Sequence, residues 1–191
     1  MTLNIPNMLT LFRIAMIPLF VWIFYLPDHM LAPFWVNFDA TVIFALAAIT
    51  DWLDGYLARR LNQTSAFGAF LDPVADKLMV VAALVVLVEL GRVGAVVALI
   101  IIGREIAISA LREWMSGVGA GSSVAVATIG KVKTAAQMIA IPFLLYFQPI
   151  SLFGARLDVA KVGTLLIYIA ALLTLVSMAY YLRAARKQLR P

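Results

Sequence analysis

The stretch that decides the fold is DWLDGYLARRLNQTSAFGAFLDPVADK, residues 51–77, where acidic residues are concentrated between two long apolar runs. Four of the seven aspartates in the chain lie here, and we call them the window aspartates: Asp51, Asp54, Asp72 and Asp76. The first two are spaced i, i+3 and the last two i, i+4, so a helix places each pair on one face. The sequence therefore predicts two neighbouring helices, joined by a short turn near residues 61–65, with acidic pairs that face each other.

These carboxylates predict a site for divalent cations. Ionised carboxylates at membrane depth are costly unless their charge is neutralised, and four of them together repel one another. A set of oxygen ligands favours Mg²⁺ or Mn²⁺ over softer metals. The chain has no cysteine and a single histidine, which excludes thiolate sites and zinc sites with several histidines. We therefore expect the window aspartates to hold the metal.

The composition indicates an integral membrane protein. Of the 191 residues, 64% are hydrophobic and 13% are charged, whereas an ordinary soluble domain has about 25% charged residues. A bilayer crossing needs about 20 mainly apolar residues. Period-2 alternation is absent, so we predict an all-α, polytopic membrane protein with six transmembrane helices rather than a barrel. The predicted segments are 8–27, 39–60, 72–90, 93–115, 132–150 and 159–182.

The basic residues predict the orientation. If the connections alternate sides, twelve of the fifteen Lys and Arg residues lie on one side, and only Arg92, Arg156 and Lys161 lie on the other. The positive-inside rule then places both termini in the cytoplasm. The net charge of +5 is accounted for by topology and anionic lipid, and we expect no nucleic-acid partner. No internal repeat is evident, so residues 1–191 form one predicted domain, in which GVGAGSS, residues 117–123, is a loop.

Small and basic residues beside the acids favour a phosphate ligand. Gly55 and Ala58 leave room for a ring or a pyrophosphate to approach the helix, and Arg59 offers a guanidinium fork to a phosphate oxygen. Pro73 has two interpretations. It either occupies a first helical position with Asp72 as N-cap, or kinks a helix that has already begun.

The window resembles a known signature. It reads Asp51-x-x-Asp54-Gly55-x-x-Ala58-Arg59, then eight residues, then Gly68-x-x-x-Asp72-x-x-x-Asp76. This pattern is similar to that of the CDP-alcohol phosphatidyltransferase family at all eight fixed positions. Further stretches resemble the bacterial members that use a glycerol phosphate acceptor, namely residues 4–13, 72–77, 104–114 and 130–134.

The resemblance implies a fold, a reaction and a set of ligands. It implies six transmembrane helices in the cell (inner) membrane, a homodimer, and a site that faces the cytoplasm and holds two Mg²⁺ or Mn²⁺ ions. The implied reaction joins CDP-diacylglycerol to sn-glycerol 3-phosphate and releases CMP. Asp76, the last acid of the signature, is the candidate general base. The residues expected to bind CDP-diacylglycerol are Asn7, Thr10, Gly55, Ala58, Arg59 and Ser65.

The acceptor needs cations of its own. A phosphate dianion enters a site that already holds a pyrophosphate and four carboxylates, and two divalent ions cancel only about four of these charges. We expect glycerol phosphate to be bound by four residues that we call the basic group: Arg104, Arg112, Lys131 and Lys133. Two simpler interpretations stay open. The basic residues could be positive-inside anchors, and Arg104 could form an intramembrane ion pair with Glu105.

Two other functions are compatible with the sequence. A member of the same family with another acceptor, such as serine, inositol phosphate or a second lipid, would share the acidic window and differ in the later basic residues. A cation transporter would line its pathway with carboxylates, but these would be spread through the depth of the bilayer. The window aspartates instead lie at one end of two predicted helices.

Overall fold

The computed structural model describes residues 5–61, 66–117, 128–152 and 154–188, and helices account for most of these residues. The first helix is followed directly by a 3₁₀ turn at Ile23–Tyr25. The long helices are α1 Ile5–Trp22, α2 Pro33–Leu61, α3 Ala66–Glu89, α4 Ala95–Gly117, α5 Thr128–Tyr146 and α6 Val159–Gln188. Each overlaps one of the six segments predicted from the sequence.

A small β-hairpin, which the all-α prediction did not include, lies between α5 and α6. Strands β1 (Ile150–Leu152) and β2 (Ala155–Leu157) pair antiparallel, with Ile150 opposite Leu157. The predicted fifth segment extended to residue 150, but α5 ends four residues earlier. Phe147 follows with φ 59°, a left-handed conformation that a helix cannot continue, and proline at position 149 cannot donate a helical hydrogen bond.

Three described helical segments are long and apolar enough to cross a membrane: Asn7–Tyr25, Pro33–Asp54 and Val159–Arg183. A shorter apolar segment, Val132–Tyr146, lies in α5. Helices α3 and α4 have 24 and 23 residues, which is also enough length, but both carry charges in their interiors. Those charges are Asp72, Asp76 and Lys77 in α3, and Arg104, Glu105, Arg112 and Glu113 in α4.

The described chain divides into two compact units. The first comprises Met1–Glu89 with Leu145–Gln148, and in it α1 packs against both α2 and α3. Large apolar side chains fill this packing, since Phe20 on α1, Phe44 on α2 and Leu84 on α3 are all almost completely buried. Buried alanines on α2 and α3 allow the helices to approach closely. The polar residues of α1 are thereby brought against the acidic end of α2.

The second unit comprises Leu90–Leu144 with Pro149–Pro191, and in it α4 packs against α6. Helix α6 also contacts α5 closely. A Cβ atom built on Gly163 would lie 2.9 Å from Cγ of Leu144 and 3.2 Å from its backbone nitrogen. Arg92 donates from Nη1 to the carbonyl oxygen of Leu144 at 3.0 Å, which satisfies one of the last carbonyls of α5. Burial of this guanidinium lowers the pKa of Arg92 below its ordinary value.

Local chemistry fixes the starts of the helices. Pro33 occupies the first position of α2, where its missing N–H is not needed. Asp158 caps α6, because its Oδ1 accepts the backbone N–H of Lys161 at 3.1 Å. Helix α3 begins at Ala66, so Pro73 lies inside it and Asp72 is not its N-cap. Of the two interpretations of Pro73, the structure selects the one in which the helix has already begun.

Candidate active site

A buried arginine bridges the first two window aspartates. Arg13, on α1, donates from Nη1 to Oδ1 of Asp51 at 2.5 Å and from Nη2 to Oδ2 of Asp54. The Arg13 side chain is 1% exposed and that of Asp54 is 3% exposed, whereas that of Asp51 is 42% exposed. One guanidinium fork therefore holds both carboxylates of the i, i+3 pair.

Helix α1 presents a polar stripe at this place. Asn7, Thr10 and Arg13 are spaced three residues apart in an otherwise apolar helix, and all three are buried. Side chains at this spacing share one face, and α1 packs against α2 through this part of the first unit. The polar face of α1 is thus directed at the acids, and the apolar residues Met8, Leu11 and Phe12 are exposed.

The charges of Arg13, Asp51 and Asp54 do not cancel. Two carboxylates carry −2 and one guanidinium carries +1, which leaves −1 before Asp72 and Asp76 are counted. Removal of one partner from a buried ion pair typically costs about 3–5 kcal/mol, because the other charge is left without compensation. Asp51 and Asp54 therefore carry one more negative charge than Arg13 cancels. Carboxylate oxygens, which Mg²⁺ and Mn²⁺ prefer, are the ligands that this pair offers.

The other two window aspartates lie on α3. Asp76 is half-buried and follows the fully buried Ala75, whereas the side chain of Asp72 is outside the described part of the structure. Among the described side chains, no three histidine, aspartate or glutamate residues are arranged to hold a metal ion. The donor chemistry and the bound guanidinium nevertheless fit a cation at Asp51 and Asp54.

The residues expected to bind the CDP group are described to different extents. Asn7 and Thr10 are buried on the face of α1 that carries Arg13. Gly55, Ala58 and Arg59 continue α2 beyond Asp54, but their side chains are outside the described part. Ser65 lies outside the described residues altogether, as do residues 118–123 of the predicted loop.

A second charged cluster lies in the second unit. Glu105 on α4 accepts hydrogen bonds through Oε1 from Arg104 at 3.2 Å and from the ammonium of Lys133 on α5. The guanidinium carbon of Arg104 lies 5.6 Å from the ring centroid of Tyr181 on α6, within range of a cation–π contact. The three charged residues sum to +1, which favours an anionic ligand.

This cluster bears on the question left open for Arg104. The ion pair with Glu105 is present, and Glu105 also holds Lys133, so two cations share one carboxylate. Both cations are more than nine-tenths buried, and Nε of Arg104 has no hydrogen-bond partner within the described part of the chain. Arg112 and Lys131 continue α4 and α5, and their side chains are outside the described part. The ion pair therefore does not exhaust the hydrogen-bonding capacity of Arg104.

Comparison with known proteins identifies the family. The sequence model of the CDP-alcohol phosphatidyltransferase family matches residues 3–182, which include the acidic window and the basic group. This chain belongs to that family. It is 52% identical over 191 residues to the CDP-diacylglycerol–glycerol-3-phosphate 3-phosphatidyltransferase of Escherichia coli (strain K12), with 99% of this chain and 98% of the relative covered. The protein of the same name from Shigella flexneri serotype 5b (strain 8401) is similar to the same extent.

Arg13 is the site residue that sequence reasoning missed as a partner of the acids. The sequence alone places Arg13 among the twelve basic residues of the cytoplasmic side and within the N-terminal stretch at residues 4–13. A signal was present, because an ionisable residue within an apolar segment calls for a partner, and Asn7 and Thr10 mark the same face. The sequence alone did not indicate which carboxylates that partner would be.

Proposed function

We propose that this protein transfers the phosphatidyl group of CDP-diacylglycerol to sn-glycerol 3-phosphate, giving phosphatidylglycerophosphate and CMP. The observation that carries this conclusion is 52% identity, over nearly the whole of both chains, to relatives named for that reaction. The acidic window and the basic group supply the two kinds of charge that such a reaction needs. The window binds cations that neutralise a pyrophosphate, and the basic group binds a phosphate.

The window aspartates form the metal site of this proposal. Two Mg²⁺ or Mn²⁺ ions would be held by Asp51, Asp54, Asp72 and Asp76. These ions would neutralise the negative charge that builds up on the leaving CMP. The oxygen donors and the −1 charge of the group formed by Arg13, Asp51 and Asp54 support this assignment.

Asp76 is the proposed general base. It takes the proton of the acceptor hydroxyl, whose oxygen bonds to the phosphorus that carries diacylglycerol. The bond from this phosphorus to the oxygen of the CMP phosphate breaks, and CMP leaves with the electron pair. The half-buried position of Asp76 supports this role, because the carboxylate is partly shielded from bulk water and still reachable.

Six residues bind the CDP part of the donor in this proposal, namely Asn7, Thr10, Gly55, Ala58, Arg59 and Ser65. Burial of Asn7 and Thr10 beside Arg13 supports their part, since polar side chains in an apolar helix are retained where they have polar partners. The absence of a side chain on Gly55 lets the nucleotide approach the backbone of α2.

The basic group binds the phosphate of the acceptor. Arg104 and Lys133 are buried and exceed the charge of Glu105 by one, which supports an anionic ligand. Arg112 and Lys131 add two further cations from the same two helices. Arginine binds phosphate through two parallel hydrogen bonds, whereas lysine acts as a point charge. This division lets the group both orient the acceptor and select for its charge.

The remaining parts of the proposal concern the assembly. We infer six membrane crossings with both termini in the cytoplasm, a site that faces the cytoplasm in the cell (inner) membrane, and a homodimer in which residues 1–191 act as one domain. Three described segments of sufficient length and hydropathy support three of these crossings, and the bias of basic residues supports the orientation.

The test is acceptor-dependent release of CMP by the purified protein in detergent. CDP-diacylglycerol is supplied with sn-glycerol 3-phosphate, serine, inositol phosphate or a lipid alcohol in separate reactions. We expect CMP release with glycerol 3-phosphate and none above background with the others. Release with one of the other acceptors in place of glycerol 3-phosphate would assign the protein to a different reaction of the same family.

A further inference from the structure

We propose that Arg13 is the resident counter-ion of the metal site, and that a divalent cation binds Asp51 and Asp54 in exchange for its guanidinium. This inference rests on the proposed metal site. It assigns to α1 a part in metal binding that lies outside the window aspartates.

The geometry of the ion pairs carries the first step. Both terminal nitrogens of the Arg13 guanidinium take part in these ion pairs, one with each carboxylate. It is therefore held across the two acids that must turn their oxygens to a metal. A cation that gathers both carboxylates competes for the same negative charge as Arg13.

Arg13 and Asp54 are both buried, which limits how far water can compensate their charges. The Arg13 side chain is 1% exposed, so water compensates its positive charge very little. Asp54 is also buried, at 3% exposed, and its carboxylate is one of the two that Arg13 binds. A guanidinium and a divalent cation are therefore alternative sources of positive charge for the same buried carboxylate.

Thermodynamic linkage determines whether Arg13 raises or lowers the affinity of the site for a metal. An interaction that stabilises the metal-free form more than the loaded form lowers the affinity for the metal by the same free energy. Substitution of Arg13 by a neutral residue should therefore raise the affinity for the metal and lower the thermal stability of the protein in chelator. If Arg13 were instead a fixed support that orients the carboxylates equally in both forms, its removal would weaken metal binding.

The experiment measures Mn²⁺ affinity by titration calorimetry on the full chain in detergent, without substrates. Arg13→Gln is compared with wild type and with Arg60→Gln, a control that removes an exposed arginine of α2 bonded to Tyr56. We expect Arg13→Gln to bind Mn²⁺ at least about fivefold more tightly, the lower end of ordinary coupling between sites. Arg60→Gln should match wild type. Equal or weaker binding by Arg13→Gln would overturn the proposal.

Thermal unfolding of the same variants gives a second readout. In chelator Arg13→Gln should melt below wild type, and saturating Mn²⁺ should narrow the difference. Folding of this variant only with Mn²⁺ would have the same meaning, whereas failure to fold even with Mn²⁺ would count against exchange. Arg13→Lys, which keeps the charge, should stay closer to wild type in both measurements.

The variant Asp51→Asn distinguishes a failure of this inference from a failure of the proposed metal site. If wild type and Asp51→Asn bind Mn²⁺ equally, the assignment of the metal to the window aspartates is wrong. If wild type binds, Asp51→Asn binds more weakly and Arg13→Gln is not tighter than wild type, only the exchange is wrong.

Discussion

Lys133 on α5 and Glu105 on α4 form an ion pair in which the lysine side chain is 3% exposed and the glutamate side chain 23% exposed. The same Glu105 oxygen accepts a hydrogen bond from Arg104. Among the described side chains, these two cations and one carboxylate carry a formal charge of +1. This excess positive charge is the basis of our proposal that the basic group binds an anion.

The first prediction concerns Lys133→Gln, which removes this excess charge. We expect the KM for sn-glycerol 3-phosphate to rise at least about tenfold, because a hydrogen bond to a charged group contributes roughly 1.5–3 kcal/mol. The KM for CDP-diacylglycerol should change little, and Arg112→Gln should behave in the same way. Lys161→Gln is the control, since its side chain is 85% exposed. An unchanged acceptor KM in both variants would show that the basic group does not bind the acceptor.

The second prediction concerns the general base. Asp76→Asn keeps the size of the side chain and cannot accept the proton, so we expect kcat to fall at least about a hundredfold. Binding of CDP-diacylglycerol should persist, and Asp28→Asn, on an exposed loop, should be nearly as active as wild type. Mn²⁺ affinity measured on the same variant separates loss of a base from loss of a metal ligand. Near-normal turnover by Asp76→Asn would refute the role.

The third prediction concerns the contact between α5 and α6. Gly163→Ala places a methyl group 2.9 Å from Cγ of Leu144 and 3.1 Å from Cβ of Phe143, which are not flexible chain ends. We expect a loss of about 1–3 kcal/mol, the usual cost of overpacking, seen as a lower melting temperature. Gly103→Ala on α4 is the matched control. A Cβ there meets nothing within 4 Å, so alanine should be neutral or stabilising. Equal melting of the two variants would contradict the packing described.

The fourth prediction concerns the cap of α6. The backbone N–H of Lys161, followed by its ammonium, lowers the pKa of Asp158 below its ordinary value of 3.8. The carboxylate therefore stabilises the folded state fully at neutral pH, and this stabilisation is lost as pH falls below 3.8 and through the folded-state pKa. Asp158→Asn still caps the helix but cannot ionise. Its melting temperature should lie below that of wild type at pH 7 and approach it as the pH falls through the folded-state pKa of Asp158, whereas a difference independent of pH would argue against the ionised cap.

Much of the fold follows from the sequence for simple physical reasons. Apolar runs about as long as the bilayer is thick predicted six helical segments, because a span must satisfy its own backbone hydrogen bonds, and each segment overlaps a helix of the structure. The hairpin at residues 150–157 was missed, since two three-residue strands leave too short a pattern to recognise. The end of α5 depends on the left-handed conformation of Phe147, which its side chain does not foretell.

The candidate site was predictable as a set of residue types and less so as a set of contacts. The spacing of the acids predicted the i, i+3 pair on one face of α2, and the structure places Asp51 and Asp54 together there. Arg13 binds both carboxylates from 38 and 41 residues away in the sequence. Such a tertiary contact cannot be predicted from local periodicity. The sharing of Glu105 between Arg104 and Lys133 is of the same kind, because it depends on how α4 and α5 pack.

The most direct test of the central claim measures both products of one reaction. Purified wild-type protein receives CDP-diacylglycerol and labelled sn-glycerol 3-phosphate, first with Mg²⁺ or Mn²⁺ and then with excess chelator, and CMP and lipid-linked label are counted together. We predict equal amounts of CMP and lipid-linked glycerol phosphate with the cation, and neither product in chelator. CMP release without incorporation of label, or full turnover in chelator, would contradict it.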